Sequence, residues 1–391
     1  MTIERDKLYT GTLNERALEP QPRGPIGLYD TTLRDGEQTV GVVLSPEDKL
    51  EIARLLDGLG IERIEAGFPR VSEDDARAVR LIAGAGLTAE VWGFSRAVPA
   101  DVEALRDLGI RHAVIESPVS EAKLRAYGVE PGEMLRRITA AVRAAADAGI
   151  HVAFFGVDGT RAELDFLRRA YETAIEAGAR EAVVVDTIGV ATPEAAAFLV
   201  AQVSEWVDVP VHWHGHDDFG LATAAAVSAV QAGATWVQGT LNGMGERAGN
   251  ASLAEVALAL EALYGIRTNL RLAGVRAASD RIRELCGYAL DPWKPLLGET
   301  LFRRESGAVA SQFHDPPSIE PYDASLVGAE RLLVLGKKSG LDSIRITCDR
   351  LGLEVPEERQ PELLALVKAR GTELRRVLTD EEFLDLTRSL T

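Results

Sequence analysis

The stretch EAVVVDTIGVATPEAAAFLVAQVSEWVDVPVHWHGH, residues 181–216, decides the fold. It opens on an apolar run ending in a carboxylate and a hydroxyl, Glu181–Thr187. A long alanine- and leucine-rich segment with helical spacing follows, and the stretch closes on a second short run, Val209–His216. Two short apolar runs joined by an amphipathic helix read as parallel strands with a crossover. Working outward, the same beat recurs. Further strands are expected at Ile26–Thr32, Arg63–Phe68, Glu90–Ser95, His112–Ser117, His151–Val157 and Trp236–Asn242. In Asp48–Leu59, Leu50, Ile52, Leu55, Leu56 and Leu59 form one stripe, and Gly60, Gly86, Gly109, Gly149 and Gly178 stand where helices should end. Eight strand–helix units predict an α/β chain folded as a (β/α)8 TIM barrel, with an open doubly wound sheet as its rival.

The beat stops near residue 270. The expected organisation is an N-terminal arm over 1–25, a catalytic barrel over 26–270, a linker subdomain over 271–345 and a helical subdomain over 346–391. The arm is polar and interrupted by Pro20, Pro22 and Pro25, without the apolar stretch of a signal peptide. The chain has 391 residues, 46% of them hydrophobic, and a formal net charge of -17. That charge argues against non-specific binding to nucleic acid or anionic membrane. Cys286 and Cys348 form no CxxC and read as free thiols. These features together predict a soluble cytoplasmic protein.

Chemistry gathers where strands end, the rim on which barrel enzymes carry their sites. His212, His214 and His216 alternate at the end of the seventh strand and share one face, the last of them expected to be solvent-accessible. The first strand runs into Arg34-Asp35-Gly36-Glu37-Gln38. A carboxylate beside two imidazoles is a three-ligand set with positions left open for substrate. Asp35, His214 and His216 are therefore the candidate metal ligands, and Arg34 can clasp a carboxylate. The last strand leads into NGMGERAGN, 242–250, which holds Glu246 and ends at Asn250, a helix cap or a further oxygen ligand. Thr187 can hydrogen-bond a substrate carboxylate. Each residue alone has an ordinary structural explanation; convergence at one rim favours a site.

DTTLRDGEQ (30–38), HGHDDFGLATA (214–224), NGMGERAGN (242–250) and ESG (305–307) resemble the homocitrate synthase/2-isopropylmalate synthase family, metal-dependent condensing enzymes of the metallolyase barrel superfamily. The similarity runs from about residue 26 to 345. It implies an acyltransferase that joins acetyl-CoA to a 2-oxo acid by a Claisen-type reaction, with thioester hydrolysis. The expected metal is Mn2+ or Mg2+, with Zn2+, Co2+ or Fe2+ also accepted by two imidazoles. Carried over, Asp35, His214, His216 and Asn250 hold the ion, while Arg34, Gln38, Thr187 and Glu246 meet the substrate. Arg70 and Arg96 are candidates for a second anionic group on a dicarboxylic 2-oxo acid, as in a homocitrate-type reaction. A homodimer is implied by analogy.

Two departures bear on catalysis. ESGIH, whose histidine is implicated in proton transfer, is replaced by Glu305-Ser306-Gly307-Ala308-Val309, which leaves His314 as a substitute by sequence proximity alone. The fifth strand ends in Val157-Asp158 where the family often has PED or CED. The base acting on acetyl-CoA is thus unassigned. Alternatives are 2-phosphonomethylmalate-type or 2-isopropylmalate synthase activity, a metal-dependent retro-aldol lyase, and a non-catalytic binder of metal and keto acid.

Overall fold

The computed structural model describes residues 3–18 and 24–390; residues 1, 2 and 19–23 of the expected arm lie outside that description. The eight expected strands are present and close into a barrel in sequence order. They are β1 (Gly27–Asp30), β2 (Arg63–Glu65), β3 (Glu90–Arg96), β4 (His112–Pro118), β5 (His151–Val157), β6 (Glu181–Asp186), β7 (Val211–Gly215) and β8 (Trp236–Gly239). All neighbours are parallel, and β1 pairs with β8 through Gly27↔Trp236 to Asp30↔Gly239, which removes any sheet edge.

Inside the barrel, inward-facing side chains from successive strands fill the lumen. Tyr29, Trp92, Phe94, Val114, Ala153, Phe155, Val183 and Val185 form this cluster. β6 is buried at every position, as a β-branched run covered on both faces should be. The outer helices start on recognisable caps. Ser45 closes a capping box with Asp48 ahead of the helix Pro46–Gly58, and Thr192 caps Pro193–Trp206.

Five strands are shorter at their C-terminal ends than the apolar runs suggest: β1, β2, β6, β7 and β8. The reason lies in the backbone. After Asp30 the chain turns, with the Thr32 amide donating to Asp30 Oδ1 at 2.7 Å and the Gly36 amide to the Thr31 carbonyl at 3.0 Å. After Glu65 it passes Gly67 at φ 137°, a conformation that favours glycine. Phe68, beyond the end of β2, still packs against the inner cluster.

The chain divides into two compact units. One is Leu13–Ala289, which keeps the helix Leu272–Cys286 against the helix Pro46–Gly58, tied by Arg281 to Glu51 at 2.7 Å. The other joins Ile3–Thr12 to the residues from Leu290 onward. Within it Leu8 bridges Tyr322, and a two-stranded parallel ladder joins Arg303–Arg304 to Leu332–Leu333. Ile344, Cys348, Leu363, Val367 and Phe383 make its core, drawn mainly from three helices. No helix among the described residues is long and apolar enough to cross a membrane.

Candidate active site

The site is built at the C-terminal ends of the strands. Asp35 stands in the turn after β1, with His214 on β7 and His216 just beyond it. Their ligand atoms all lie within 4.8 Å of one another. Asp35 Oδ2 is 3.1 Å from His214 Nε2 and 3.5 Å from His216 Nε2. All three residues are buried, His216 included, so the expected solvent-accessible imidazole is covered. Asn250, at the end of the 242–250 loop, bridges to His216 through the backbone.

Electrostatics suits a cation. Burial pushes the Asp35 carboxyl up, but the Arg34 guanidinium and the two imidazoles overcome it and hold it well below the usual carboxylate range. Burial pushes His214 down to about 4, which keeps the imidazole neutral and able to ligate. Asn250 donates its amide nitrogen to the Met244 carbonyl at 3.1 Å, while its Oδ1 is buried without a partner. Gly245 makes this placement possible: its φ is 155°, and a Cβ there would collide with the Asn250 amide. One carboxylate, two imidazoles and a spare amide oxygen fit a divalent ion of the Mn2+, Mg2+ or Zn2+ type.

Arg34 lies over Phe94, its Cζ 4.3 Å from the ring centroid, with Phe155 at 5.9 Å. Its Nε pairs with Glu65 at 2.6 Å and its Nη1 with Asp35 at 3.3 Å. Nη2 is buried and has no partner. The guanidinium is thus fixed at two corners, with the third unused. Thr187 follows β6, and its Oγ1 accepts from the Asp158 amide at 2.7 Å. Its own proton is left to donate. Asp158, at φ 66°, is held by Ser120 and by both nitrogens of Arg161, 2.9 and 2.6 Å away.

A pocket opens over these groups. Arg34, Asp35, Gln38, Thr187, His214, His216 and Glu246 all line it, so seven of the residues selected from sequence meet there. Asn250 lies beneath, beside His216. Arg70 and Arg96 are absent from the lining. Both turn to Asp101, Arg96 at 2.7 and 3.1 Å and Arg70 at 3.5 Å, and each is about half exposed. Their ordinary ion-pair explanation is the one the geometry favours. His314 belongs to the second unit, in the segment after the short helix Gly307–Ala310. His212, which shares a face with His214, faces the opposite end of the barrel and bonds Glu181.

Sequence reasoning did not select Glu65, Glu116 or Lys123. Glu65 holds Arg34, while Glu116 and Lys123 line the pocket beside Phe68, Phe94, Phe155, Val157 and Val185. The two glutamates shared one readable signal: an acid placed within an apolar strand, in RIE and AVIES.

Comparison with known proteins agrees with this architecture. A family profile described as HMGL-like matches residues 25–282. Homocitrate synthase AksA of Methanopyrus kandleri is 44% identical over 93% of this chain and 92% of its own length. A probable 2-isopropylmalate synthase from the same organism is 42% identical over 88% and 70%. (R)-citramalate synthase of Methanocaldococcus jannaschii is 37% identical over 94% and 75%. Among solved structures, the HMG-CoA lyase of Bacillus subtilis superposes with a TM-score of 0.64 at 23% identity, covering 71% of this chain and 98% of that one, a likeness of fold. The chain belongs to the HMGL-like family, among the condensing enzymes that include homocitrate, citramalate and 2-isopropylmalate synthases.

Proposed function

We propose that the protein condenses acetyl-CoA with a 2-oxo acid at the Asp35–His214–His216 centre, which holds a divalent metal ion, to give a 2-hydroxy acid after thioester hydrolysis. The observation that carries this reading is the convergence, in one pocket, of a buried ligand triad with two uncommitted donors, Arg34 Nη2 and the Thr187 hydroxyl.

When bound, the metal supplies Lewis acidity to the keto group. The chain's own residues do the rest. Thr187 donates to the substrate carboxylate, because its oxygen is already engaged by the Asp158 amide. Arg34 directs Nη2 at the keto oxygen and stabilises the negative charge that grows there as the new C–C bond forms. Glu65 and the Phe94 ring hold that guanidinium in place, so little reorganisation is needed at the moment of reaction. Buried walls keep water from the keto carbon.

For the 2-oxo acid, we favour a dicarboxylic substrate of the homocitrate type. Lys123 supports it: this lysine lines the pocket, and no ion pair holds it among the described residues. A second reading, an apolar 2-oxo acid as in 2-isopropylmalate synthesis, is favoured by the Phe68, Phe94, Phe155 and Val157 walls. Thiol release from acetyl-CoA with Mn2+ separates them, using 2-oxoglutarate, oxaloacetate, pyruvate, 2-oxoisovalerate and phosphonopyruvate. The dicarboxylic reading expects 2-oxoglutarate or oxaloacetate to lead and Lys123→Met to raise its KM. A preference for 2-oxoisovalerate, unmoved by Lys123→Met, selects the apolar reading. Silence with every keto acid overturns the condensation itself.

A further inference from the structure

We propose that Glu116 is the base that takes the proton from the acetyl methyl group in this pocket. The proposal rests on the condensation reading above and fills the place left vacant by Val157 and Val309.

Among the described residues lining the pocket, three carry carboxylates: Asp35, Glu116 and Glu246. Asp35 is engaged by both imidazoles and by Arg34. Glu246 is 56% exposed and stands beside Arg247 at 3.4 Å. Glu116 is half-buried, and only charge at a distance and burial act on it, since no hydrogen bond or ion pair holds its oxygens.

Its position follows from strand register. Val114 and Glu116 are two apart on β4 and so point the same way, and Val114 belongs to the barrel's inner cluster. Glu116 therefore faces inward, one layer nearer the C-terminal end. Its register partner on β5 is Phe155, and on β3 it is Arg96. The Phe155 ring in turn lies 5.1 Å from the His214 ring and 5.9 Å from the Arg34 guanidinium. One aromatic ring thus separates Glu116 from the groups that hold the keto acid. A two-carbon acyl group laid over that ring would present its methyl to Glu116 and meet the keto carbon on the other side.

The environment also sets basicity. Burial pushes the Glu116 carboxyl up, against the pull of Arg34, Arg96 and Lys123 and with the push of Glu65. A carboxylate raised in this way is a stronger base than a solvated one. In the step, a methyl C–H bond breaks and its proton passes to a Glu116 oxygen. The released electron pair forms the bond to the keto carbon, and the keto π pair moves onto oxygen, which is protonated from solvent. Glu116 returns its proton to solvent. Water then cleaves the thioester to the free thiol and a carboxylate, so atoms and charge balance without a further reactant.

The test uses the intact chain loaded with Mn2+ and the keto acid that gives thiol release. Glu116→Gln keeps shape and removes the base. The expected result is a fall in kcat of about 10²- to 10⁴-fold, with keto-acid KM and melting temperature little changed. The wild-type rate should rise with pH as Glu116 loses its proton, and this limb should be missing from Glu116→Gln. Deuterium washout from the acetyl methyl into solvent, in the presence of an unreactive keto-acid analogue, should fall in parallel. Glu116→Asp, with a carboxylate set back by one methylene, should restore part of both rates. A Glu116→Gln enzyme within about tenfold of wild type overturns the proposal. So does a loss confined to KM, which would make Glu116 a side-chain recognition group. A wild type silent with every keto acid overturns the condensation reading as well, an outcome distinct from an active wild type with an undiminished variant.

Discussion

Arg34→Lys tests the proposed chemistry at one atom. The native guanidinium divides its nitrogens: Nε to Glu65 at 2.6 Å, Nη1 to Asp35 at 3.3 Å, and Nη2 to nothing in the protein. A lysine ammonium keeps the charge but is a single point on a flexible stem. Buried Glu65 will claim it, because an unpaired carboxylate there is the costlier outcome. The variant should then fold normally and retain its metal, yet have no donor at the keto oxygen. Removing one such donor costs roughly 10²- to 10³-fold in kcat, or about 2.7–4 kcal/mol of transition-state stabilisation. The guanidinium contact over the Phe94 ring is also lost, which places the effect toward the upper end. Thiol release at saturating keto acid, with metal content and melting temperature measured on the same sample, separates these effects. If Arg34→Lys kept kcat within about tenfold of wild type, Nη2 would not be the oxyanion donor. If kcat collapsed only because metal was lost, Arg34 would act by holding Asp35 instead.

Metal retention should depend on the triad: Asp35→Ala and His214→Ala are each expected to leave no Mn2+ bound after desalting, read by elemental analysis. Glu181→Gln probes the other end of the barrel, where Glu181 takes both Arg63 Nη atoms at 2.6 and 3.0 Å and His151 at 2.6 Å. Breaking a buried pair costs about 3–5 kcal/mol, and the Glu90 contact that Arg63 retains at 2.8 Å argues for the lower value. At about 2 °C per kcal/mol for a domain of this size, the barrel's melting transition should fall by roughly 6 °C. Burial pushes the Glu181 carboxyl up, but the two histidines and Arg63 outweigh it and hold it far down. Its contribution is therefore complete above the unfolded carboxylate value of about 4.3 and is lost as pH falls below that. Wild type should lose stability on acidification more steeply than Glu181→Gln, measured by thermal melts across the acid range.

The barrel was legible because crossover connections force one repeated pattern, and each apolar run had to supply a buried strand. Strand ends were less legible. Beyond Asp30, Glu65 and Gly239 the next residues remain buried, so hydrophobicity carries no mark of where the ladder stops. The cluster of Asp35, His214 and His216 was legible from two local spacings: HxH on a strand and a carboxylate after the first strand. Arg70 and Arg96 show the limit. Arg96 ends β3 and Arg70 follows β2, yet both are captured by Asp101 in the first turn of the helix Pro99–Asp107. For Arg70, no local pattern announces such a partner. His212 shows the same limit inside a single motif. Register places His214 beside the site, and the residue two places earlier on the same face reaches the opposite end, where Glu181 waits.

The two charged clusters of the barrel differ in how they are satisfied, and that difference favours one as the site. Around Glu181 the charged groups close on one another: both carboxylate oxygens are taken, and all three guanidinium nitrogens of Arg63 are bonded to Glu181 or Glu90. His212 takes Gln238 on its second nitrogen at 3.2 Å. Apart from Gln238 Oε1, which is buried without a partner, this network is closed; it stabilises the fold and has little left to offer a ligand. At the C-terminal end the reverse holds. Arg34 Nη2, Asn250 Oδ1 and the Nδ1 atoms of His214 and His216 are all buried without partners. Each such atom costs about 1–3 kcal/mol when left unmet, and four in one place are unlike the usual satisfaction of buried polar groups. Two of the four, Arg34 Nη2 and Asn250 Oδ1, flank the Asp35 triad as a spare donor and a spare acceptor. A cation and an anionic keto acid would meet the acceptor and the donor respectively. Ligand binding should therefore stabilise this end selectively: Mn2+ with keto acid should slow amide exchange in the 30–38 and 242–250 segments, and leave the strand starts near Arg63 and Glu181 unchanged.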